Sequence, residues 1–354
     1  MDNAKNGEFM KLLLRHIALA GLFCHALPAA DALSAAASRE SRTTVYLDSG
    51  DGAAINEAIR TLPPAGGVVI LGPSLFPIAE AVVIDRDGIE LRGTAKQTLL
   101  KLAERVNCPV IVVGSTATPP ARIVRNITVG HLVIDGSRAS QQHECYGGDC
   151  DNGGLTHIRN NGITVRGAED VRIEQIGAHS CRSGGVVLEK GCRRIHITGL
   201  EAHDNEFDGL ACYETEDSLF EQLNLHHNRS AGLSLDWRFN RNVIRDSTFG
   251  LNGSQGIFMR DSNENRFRNL HLRDNGEQGV FIAETREIPG TPCRDNRFER
   301  LTVMGNKTQG IRVNDASCTG NLILHSRITG NALENLSLAA PDLLLTAETA
   351  PRGE

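Results

Sequence analysis

Residues suited to acid-base chemistry recur at one position of a repeated pattern in the chain. The pattern is an asparagine, three residues, a glycine, and then an apolar, a variable and an apolar residue, as at residues 228–235. Because side chains alternate between the two faces of a strand, the residue four positions after the glycine is expected to point outward. In chain order these positions hold Arg166, Glu189, Tyr213, Asp236, Arg260, Ala283 and Asn314, which we call the outward strip.

The outward strip combines arginines, carboxylates and a phenol, a set that can move protons and neutralise an anion. Aromatic rings beside charged groups also suit a groove that binds sugars, since rings stack on apolar sugar faces. The alternative is a solvated surface with ion pairs between neighbouring strands. Adjacent outward positions supply the candidate binding residues Lys190, Trp237, Asp261, Phe258 and Phe281.

A column of histidines forms a second candidate cluster. His179, His203 and His226 each lie two residues before the repeat asparagine or its equivalent. Neighbouring imidazoles lower one another's pKa and could supply a general base near neutral pH. They could equally be ordinary turn residues.

The sequence identifies no certain cofactor, and calcium is the one metal that it allows. Three acidic residues in a predicted turn could bind calcium or form an ordinary acidic turn. They are Glu214, Glu216 and Asp217.

The repeat also predicts the fold. Its seven glycines, from Gly162 to Gly310, lie 23 or 24 residues apart except for one step of 31 residues. A period in the low twenties with short alternating strands is typical of a solenoid in which each repeat forms one coil. We predict an all-β parallel β-helix with an aliphatic core and asparagines stacked along one turn. An amphipathic helix containing Ile55, Ala58 and Ile59 is predicted to cap its N-terminal end.

Composition narrows the class of protein. Aromatic residues make up only 4% of the chain, which excludes a core of long packed helices. The net charge of −6 argues against a protein that binds nucleic acid through phosphate contacts. We expect a monomer.

The N-terminal segment has the features of a secretory signal: basic residues, an apolar run and small residues. We predict a signal peptide at 1–32, a linker at 33–43, the β-helix domain at 44–345 and a disordered tail at 346–354. An anchor helix is the alternative for the first segment. The mature chain is expected to be secreted or periplasmic, with no membrane span.

Cysteines fit an exported protein, in which disulfides persist. The candidate pairs are Cys145 with Cys150 and Cys293 with Cys318, whereas Cys212 is predicted to be a buried thiol. Cys145 and Cys150 lie in a long segment after Asp135 that is too long for a simple turn. Such excursions often build one wall of a binding site.

The opening segment, with its AINEAI helix followed by GGVVIL, resembles the pectate-lyase-like superfamily of right-handed parallel β-helix proteins. Residues 203–236 are locally similar to the mannuronan (alginate) C5-epimerases. The catalytic Y-G-x-D-P-H motif of those enzymes is missing, because the corresponding coil reads GGVVLEKG. The resemblance implies the fold and an acidic polysaccharide as partner, and no epimerase residue is transferred.

Three functions remain open. The first is a lyase or C5-epimerase acting on a uronate polymer, with Arg166 or Arg260 on the carboxylate, His203 or His226 as base and Tyr213 as acid. The second is a glycoside hydrolase using Glu189 and Asp236, which two strand spacings place about 9–10 Å apart. The third is a non-catalytic module that binds glycans or stabilises an envelope assembly.

Overall fold

The computed structural model describes residues 42–285, 290–340 and 344–347. The predicted signal peptide, most of the predicted linker and most of the predicted tail lie outside these residues. Within the described part of the chain, no helix is long and apolar enough to cross a membrane.

Two parallel sheets run along the molecule, and each strand pairs with the equivalent strand of the next coil. The first sheet has ten strands, which are Val82–Ile84, Ile111–Gly114, Ile163–Arg166, Val186–Glu189, Leu210–Tyr213, Leu233–Asp236, Ile257–Arg260, Val280–Ala283, Ile311–Val313 and Leu336–Leu338. It carries the outward strip.

The second sheet has twenty-two shorter or bent strands and wraps around the rest of each coil. They are Thr44–Leu47, Gly67–Leu71, Leu75–Ile78, Ile89–Arg92, Leu99–Leu102, Val124–Asp135, Ala168–His179, Cys192–Arg193, His196–Thr198, Glu201–His203, Thr215–Glu216, Leu219–Glu221, Asn224–His226, Phe239–Asn240, Val243–Gly250, Ser262–Asn263, Arg266–Arg273, Arg297–Glu299, Thr302–Met304, Asn321–Leu324, Arg327–Thr329 and Leu344–Ala347. This architecture confirms the predicted parallel β-helix.

Side chains alternate between the two faces of each strand, and those that point inward form the core. Leu233 and Leu235 point inward and pair with Ile257 and Met259 of the next coil, and all four are buried. The core is not wholly aliphatic, which corrects the prediction. Phenylalanines that lie on the inner face of the second sheet are also buried, and the rings of Phe267 and Phe298 stack 4.7 Å apart.

Asparagine ladders fix the turns, as the repeat predicts. The Nδ2 group of Asn228 donates to Oδ1 of Asn252 at 3.0 Å, and Asn252 donates in the same way to Asn275. Glycine is required beside this ladder, because a Cβ on Gly232 would lie 2.8 Å from Nδ2 of Asn252. A second ladder, which the repeat did not predict, runs through Asn242, Asn265, Asn296 and Asn321.

The predicted capping helix is present as Gly52–Thr61. Its N-cap, Asp51, accepts a hydrogen bond from the Ala54 amide at 2.9 Å, and Ile55 and Ile59 are buried against the first coils. Within the described residues, the other helices are short 3-10 turns at Ala95–Gln97, Arg138–Ser140, Gly147–Asp151 and Leu155–His157. The last three lie in the long segment after Asp135.

Candidate functional site

A groove of about 470 Å³ lies over the outer face of the first sheet. The strand ends supply its charged groups, and the long segment after Asp135 supplies one wall, as predicted. The lining residues are Gly147, Gly148, Cys150, His157, Ile158, Arg159, Glu189, Lys190, Tyr213, Glu214, Ser234, Asp236, Trp237, Phe258 and Arg260.

The parallel register of the strands places the side chains of the outward strip next to one another. Arg166 pairs with Glu189 across neighbouring strands, and Tyr213 pairs with Asp236. Arg166 is nevertheless buried, with 1% of its surface exposed, because the segment that contains Thr118 covers it. It bonds Thr118 and lies 3.3 Å from Glu189, so the prediction that it faces solvent is wrong.

Asp236 is the most enclosed carboxylate of the groove, with 3% of its surface exposed. Its carboxylate accepts two hydrogen bonds from the Arg260 guanidinium, the one from Nε at 2.9 Å, and others from the Trp237 amide and the Thr285 hydroxyl. Burial raises the pKa of Asp236, and Arg260 opposes that shift. Asp236 therefore holds Arg260 in place from beneath the groove.

Tyr213 stands between Glu189 and Asp236 in the strip. Its ring lies 6.1 Å from that of Trp237. Burial raises the pKa of Tyr213, and the carboxylates of Asp208 and Asp236 raise it further. The phenol therefore stays protonated at neutral pH and releases its proton less readily than an exposed tyrosine.

The loop wall is fixed at several points. A disulfide joins Cys145 to Cys150, which confirms that predicted pair. The Arg159 guanidinium contacts two neighbouring rings, 5.0 Å from the centroid of Tyr146 and 4.5 Å from that of Phe207. These contacts anchor the loop to the next coils.

A buried carboxylate lies behind the same wall. Glu144 accepts the Asn160 amide at 3.2 Å, and burial raises the pKa of Glu144 to about 7. Ordering of this kind lets a non-repeating loop present side chains in fixed positions.

His157 and Arg159 are the groove residues that the sequence reasoning missed. The segment that carries them has no repeat register, so nothing in its spacing indicated which side chains face the sheet. The only available signal was the length of the excursion.

The predicted binding residues divide into two sets. Lys190, Trp237 and Phe258 line the groove. Phe281 does not, because its ring is stacked 5.5 Å from that of Phe258 on one side and faces the Arg312 guanidinium on the other. Asp261 is also outside the lining, and its carboxylate accepts the Arg238 amide at 3.1 Å.

Comparison with known proteins identifies the family. The protein-family model described as "Right handed beta helix region" matches residues 149–289 and 240–340 of this sequence. The chain belongs to this right-handed β-helix family. No curated protein matches it in sequence.

Solved structures share the fold of this β-helix protein at low sequence identity. The Azotobacter vinelandii mannuronan C-5 epimerase AlgE4 A-module is 16% identical, with a TM-score of 0.52 over 86% of this chain and 98% of that one. The periplasmic alginate epimerase AlgG is 12% identical, with a TM-score of 0.51 over 86% and 83%. Geobacillus virus E2 ORF18 is 14% identical, with a TM-score of 0.65 over 86% of this chain and 61% of that one.

The histidine column of the β-helix forms as predicted but away from the groove. The rings of His179 and His203 stack 5.2 Å apart, and those of His203 and His226 stack 5.0 Å apart. All three end strands of the second sheet, whereas the groove lies on the first. Neither His203 nor His226 lines the groove, so the structure does not support either as the base for chemistry there.

The acidic turn pairs with arginines, since Arg238 bonds Glu214 and Arg241 bonds both Glu216 and Asp217. Among the described residues, no group of three or more histidines, cysteines or carboxylates is placed to hold a metal ion.

The predicted disulfide between Cys293 and Cys318 is corrected, because both are free thiols. They are buried side by side, and the Cys293 amide donates to the Cys318 sulfur at 3.4 Å. Cys212 is a buried thiol, as predicted.

A second cavity, of about 630 Å³, lies beside the second sheet and includes Lys101, Asp135 and Arg138. Lys101 and Asp135 are ion-paired to each other at 2.8 Å. The smaller groove is the stronger candidate, because it gathers a phenol, a histidine, an exposed indole and charges of both signs around one floor.

Proposed function

We propose that this protein is an exported enzyme that acts on a uronate-containing polysaccharide as a lyase or C5-epimerase. The observation that carries the proposal is the placement of the Tyr213 phenol beside the Asp236 and Arg260 pair in a groove with an exposed indole. Abstraction of the proton at C5 of a uronate needs a cation on the carboxylate, a base and an acid.

The groove offers a residue for each role. Arg260, held by Asp236, and Lys190 are placed to neutralise the substrate carboxylate. His157 is the lining side chain whose type best suits a base at neutral pH, and the Thr156 hydroxyl lies 3.4 Å from its Nδ1. Trp237, 42% exposed, offers a ring for stacking.

In the lyase reaction the base takes the C5 proton, and the electron pair of the C5–H bond forms a double bond between C4 and C5. The bond from C4 to the glycosidic oxygen breaks, and that oxygen takes the Tyr213 proton. In the epimerase reaction the C5 carbanion takes a proton from the opposite face instead. Both outcomes use the same residues, and geometry at C4 decides between them.

Two further observations support this proposal. The AlgE4 A-module and AlgG, which share the fold, are named as epimerases of mannuronan and alginate. The signal-like N-terminus and the disulfide between Cys145 and Cys150 support export to a secreted or periplasmic location. A hydrolase is less well supported, because Glu189 lies against Arg166 and Asp236 bonds Arg260.

The test is incubation of the full chain with a panel of purified uronate polymers. A rise in ultraviolet absorbance identifies a lyase, and an altered uronate ratio at constant chain length identifies an epimerase. New reducing ends without absorbance would replace the proposal with a hydrolase. Binding without turnover of any polymer would replace it with a glycan-binding module.

A further inference from the structure

The shape of the groove indicates which part of a glycan it accepts. The outward row two positions after each repeat glycine reads Val187, Ala211 and Ser234 over three coils. Of these, Ser234 lines the groove, whereas Val187 and Ala211 are buried. At the next coil the row changes abruptly to Phe258. The row thus holds smaller side chains for three coils and a large ring, which lines the groove, at the fourth.

Further side chains pack behind Phe258. Phe281 stacks against Phe258 with an interplanar angle of 12°, and the Arg312 guanidinium lies 6.0 Å from the Phe281 centroid. Arg260 flanks the column, 5.3 Å from the Phe258 centroid. We call Phe258, Phe281 and Arg312 the end wall. Because Phe281 supports one face of Phe258, the other face is turned toward Ser234 and the groove.

The opposite end is closed by backbone segments rather than by rings. Arg166 occupies the strip one coil before Glu189, and it is covered by the segment that contains Thr118. That segment is tied to the loop wall, since the Gly154 amide donates to the Thr116 carbonyl at 2.9 Å. A glycan lying along the sheet therefore meets a wall at this end too.

The two long sides are also bounded. The loop wall stands on one side and is held by the Cys145 to Cys150 disulfide and by the contacts of Arg159 with the Tyr146 and Phe207 rings. Lys190, Glu214 and Trp237 stand on the other side, where the strands end. Three coils span two strand spacings, about 10 Å, and the enclosed volume is that of a small-ligand pocket.

We infer that the groove binds the terminal residues of an acidic glycan rather than an internal stretch, and that Phe258 sets this limit. This inference rests on the proposed function and adds to it the mode of action. An enzyme with such a pocket acts from chain ends, because an internal segment would have to continue through the end wall.

The experiment measures binding and product pattern separately. Oligomannuronates, oligoguluronates and oligogalacturonates of increasing length are titrated into the full chain by calorimetry. Once the pocket is filled, the dissociation constant per chain end is expected to change by less than about threefold with further length. An affinity that rises by about tenfold or more, or a site count that grows with length, would overturn the inference and leave the proposed function standing.

The active polymer then gives the product pattern. Action at chain ends predicts short products while the viscosity of the polymer persists, or, for an epimerase, altered uronates confined to termini. An early loss of viscosity or interior epimerisation would contradict action at chain ends. If none of the three oligouronate series binds, the proposed function itself is overturned, and the inference with it.

A variant tests the role of the end wall. Phe258→Ala is expected to raise the rate on polymer relative to trisaccharide by about tenfold, since it opens the floor toward the next coil. The matched control is Met304→Ala, which removes an exposed apolar side chain on the second sheet. If both variants remain folded by circular dichroism and keep the wild-type ratio, Phe258 does not set the limit.

Discussion

Two aspartates bonded to arginines behave in opposite ways on the two sheets of this β-helix. Asp217, beside the second sheet, accepts hydrogen bonds from Arg241 at 2.8 Å and from Arg193 at 2.7 Å. The hydrogen bond from Arg241 is the largest cause that lowers the pKa of Asp217. Asp236, on the first sheet, accepts Arg260, yet its pKa is raised. Asp217 has two arginine partners and Asp236 has one, but the largest cause of the Asp236 shift is burial.

The exposed side-chain fraction is 32% for Asp217 and 4% for Asp236. Water solvates the charge of Asp217, and arginines of the coils before and after it complete a ladder along the surface. Asp236 is enclosed by Trp237 and Thr285, so desolvation outweighs its arginine. An ion-pair ladder is therefore the ordinary surface of this solenoid, and a desolvated pair marks the groove.

The largest expected effect is on proton donation in the groove. Tyr213→Phe removes the phenol and is expected to lower kcat by about 10²–10⁴-fold on the active uronate polymer, with little change in KM. Tyr46→Phe is the matched control, because Tyr46 is 70% exposed on the first strand. Equal activity of the two variants, measured by steady-state kinetics, would remove Tyr213 from the mechanism.

The aspartate comparison is tested directly by a pair of matched substitutions. Asp236→Asn leaves Arg260 without its carboxylate partner and is expected to lower kcat/KM by about 10²-fold, since the cation loses its position. Asp217→Asn is expected to leave kcat/KM unchanged. A similar loss in both variants would mean that burial does not separate the two pairs functionally.

A smaller effect is expected for the exposed ring of the groove. Trp237→Ala is predicted to raise KM by about 2- to 10-fold, the scale of one aromatic contact, with kcat nearly unchanged. Leu333→Ala, another exposed apolar residue, serves as control. A fall in kcat with constant KM would place Trp237 in the chemical step rather than in binding.

The repeat made much of this site predictable, and its limits show where prediction fails. Alternation and register placed Glu189, Tyr213 and Asp236 on one line, because both follow from the backbone geometry of stacked strands. The burial of Arg166 did not follow, because it depends on a segment outside the repeat. His157 was missed for the same reason.

The repeat predicted which residues of the same type stack in successive coils, but not which groups surround them. The histidines stack as the spacing predicts, yet the second sheet carries them away from the groove. Phe281 lies in the expected outward row, but its ring stacks on Phe258 instead of facing the groove. Sequence period fixes position along a solenoid, whereas packing of neighbouring side chains decides which face remains open.

The smallest expected effect concerns stability as a function of pH. The folded-state pKa of Asp217 is lowered, so its pairs stabilise the fold above its unfolded pKa of about 3.9 and are lost as the pH falls through the folded value. Asp217→Asn is expected to cost less than about 1 kcal/mol of unfolding free energy at neutral pH. That difference from wild type should shrink on acidification.

For Asp236, the unfolding free energy is expected to change with pH in the opposite direction. Its folded-state pKa is raised, so the folded protein binds the proton more tightly, and wild-type stability decreases as the pH rises from about 3.9 toward the folded value. The stability of wild type relative to Asp236→Asn should therefore decrease as the pH rises through that window. Urea unfolding of both variants over a pH series measures the two slopes, and slopes of the same sign would show that burial does not control the Asp236 charge.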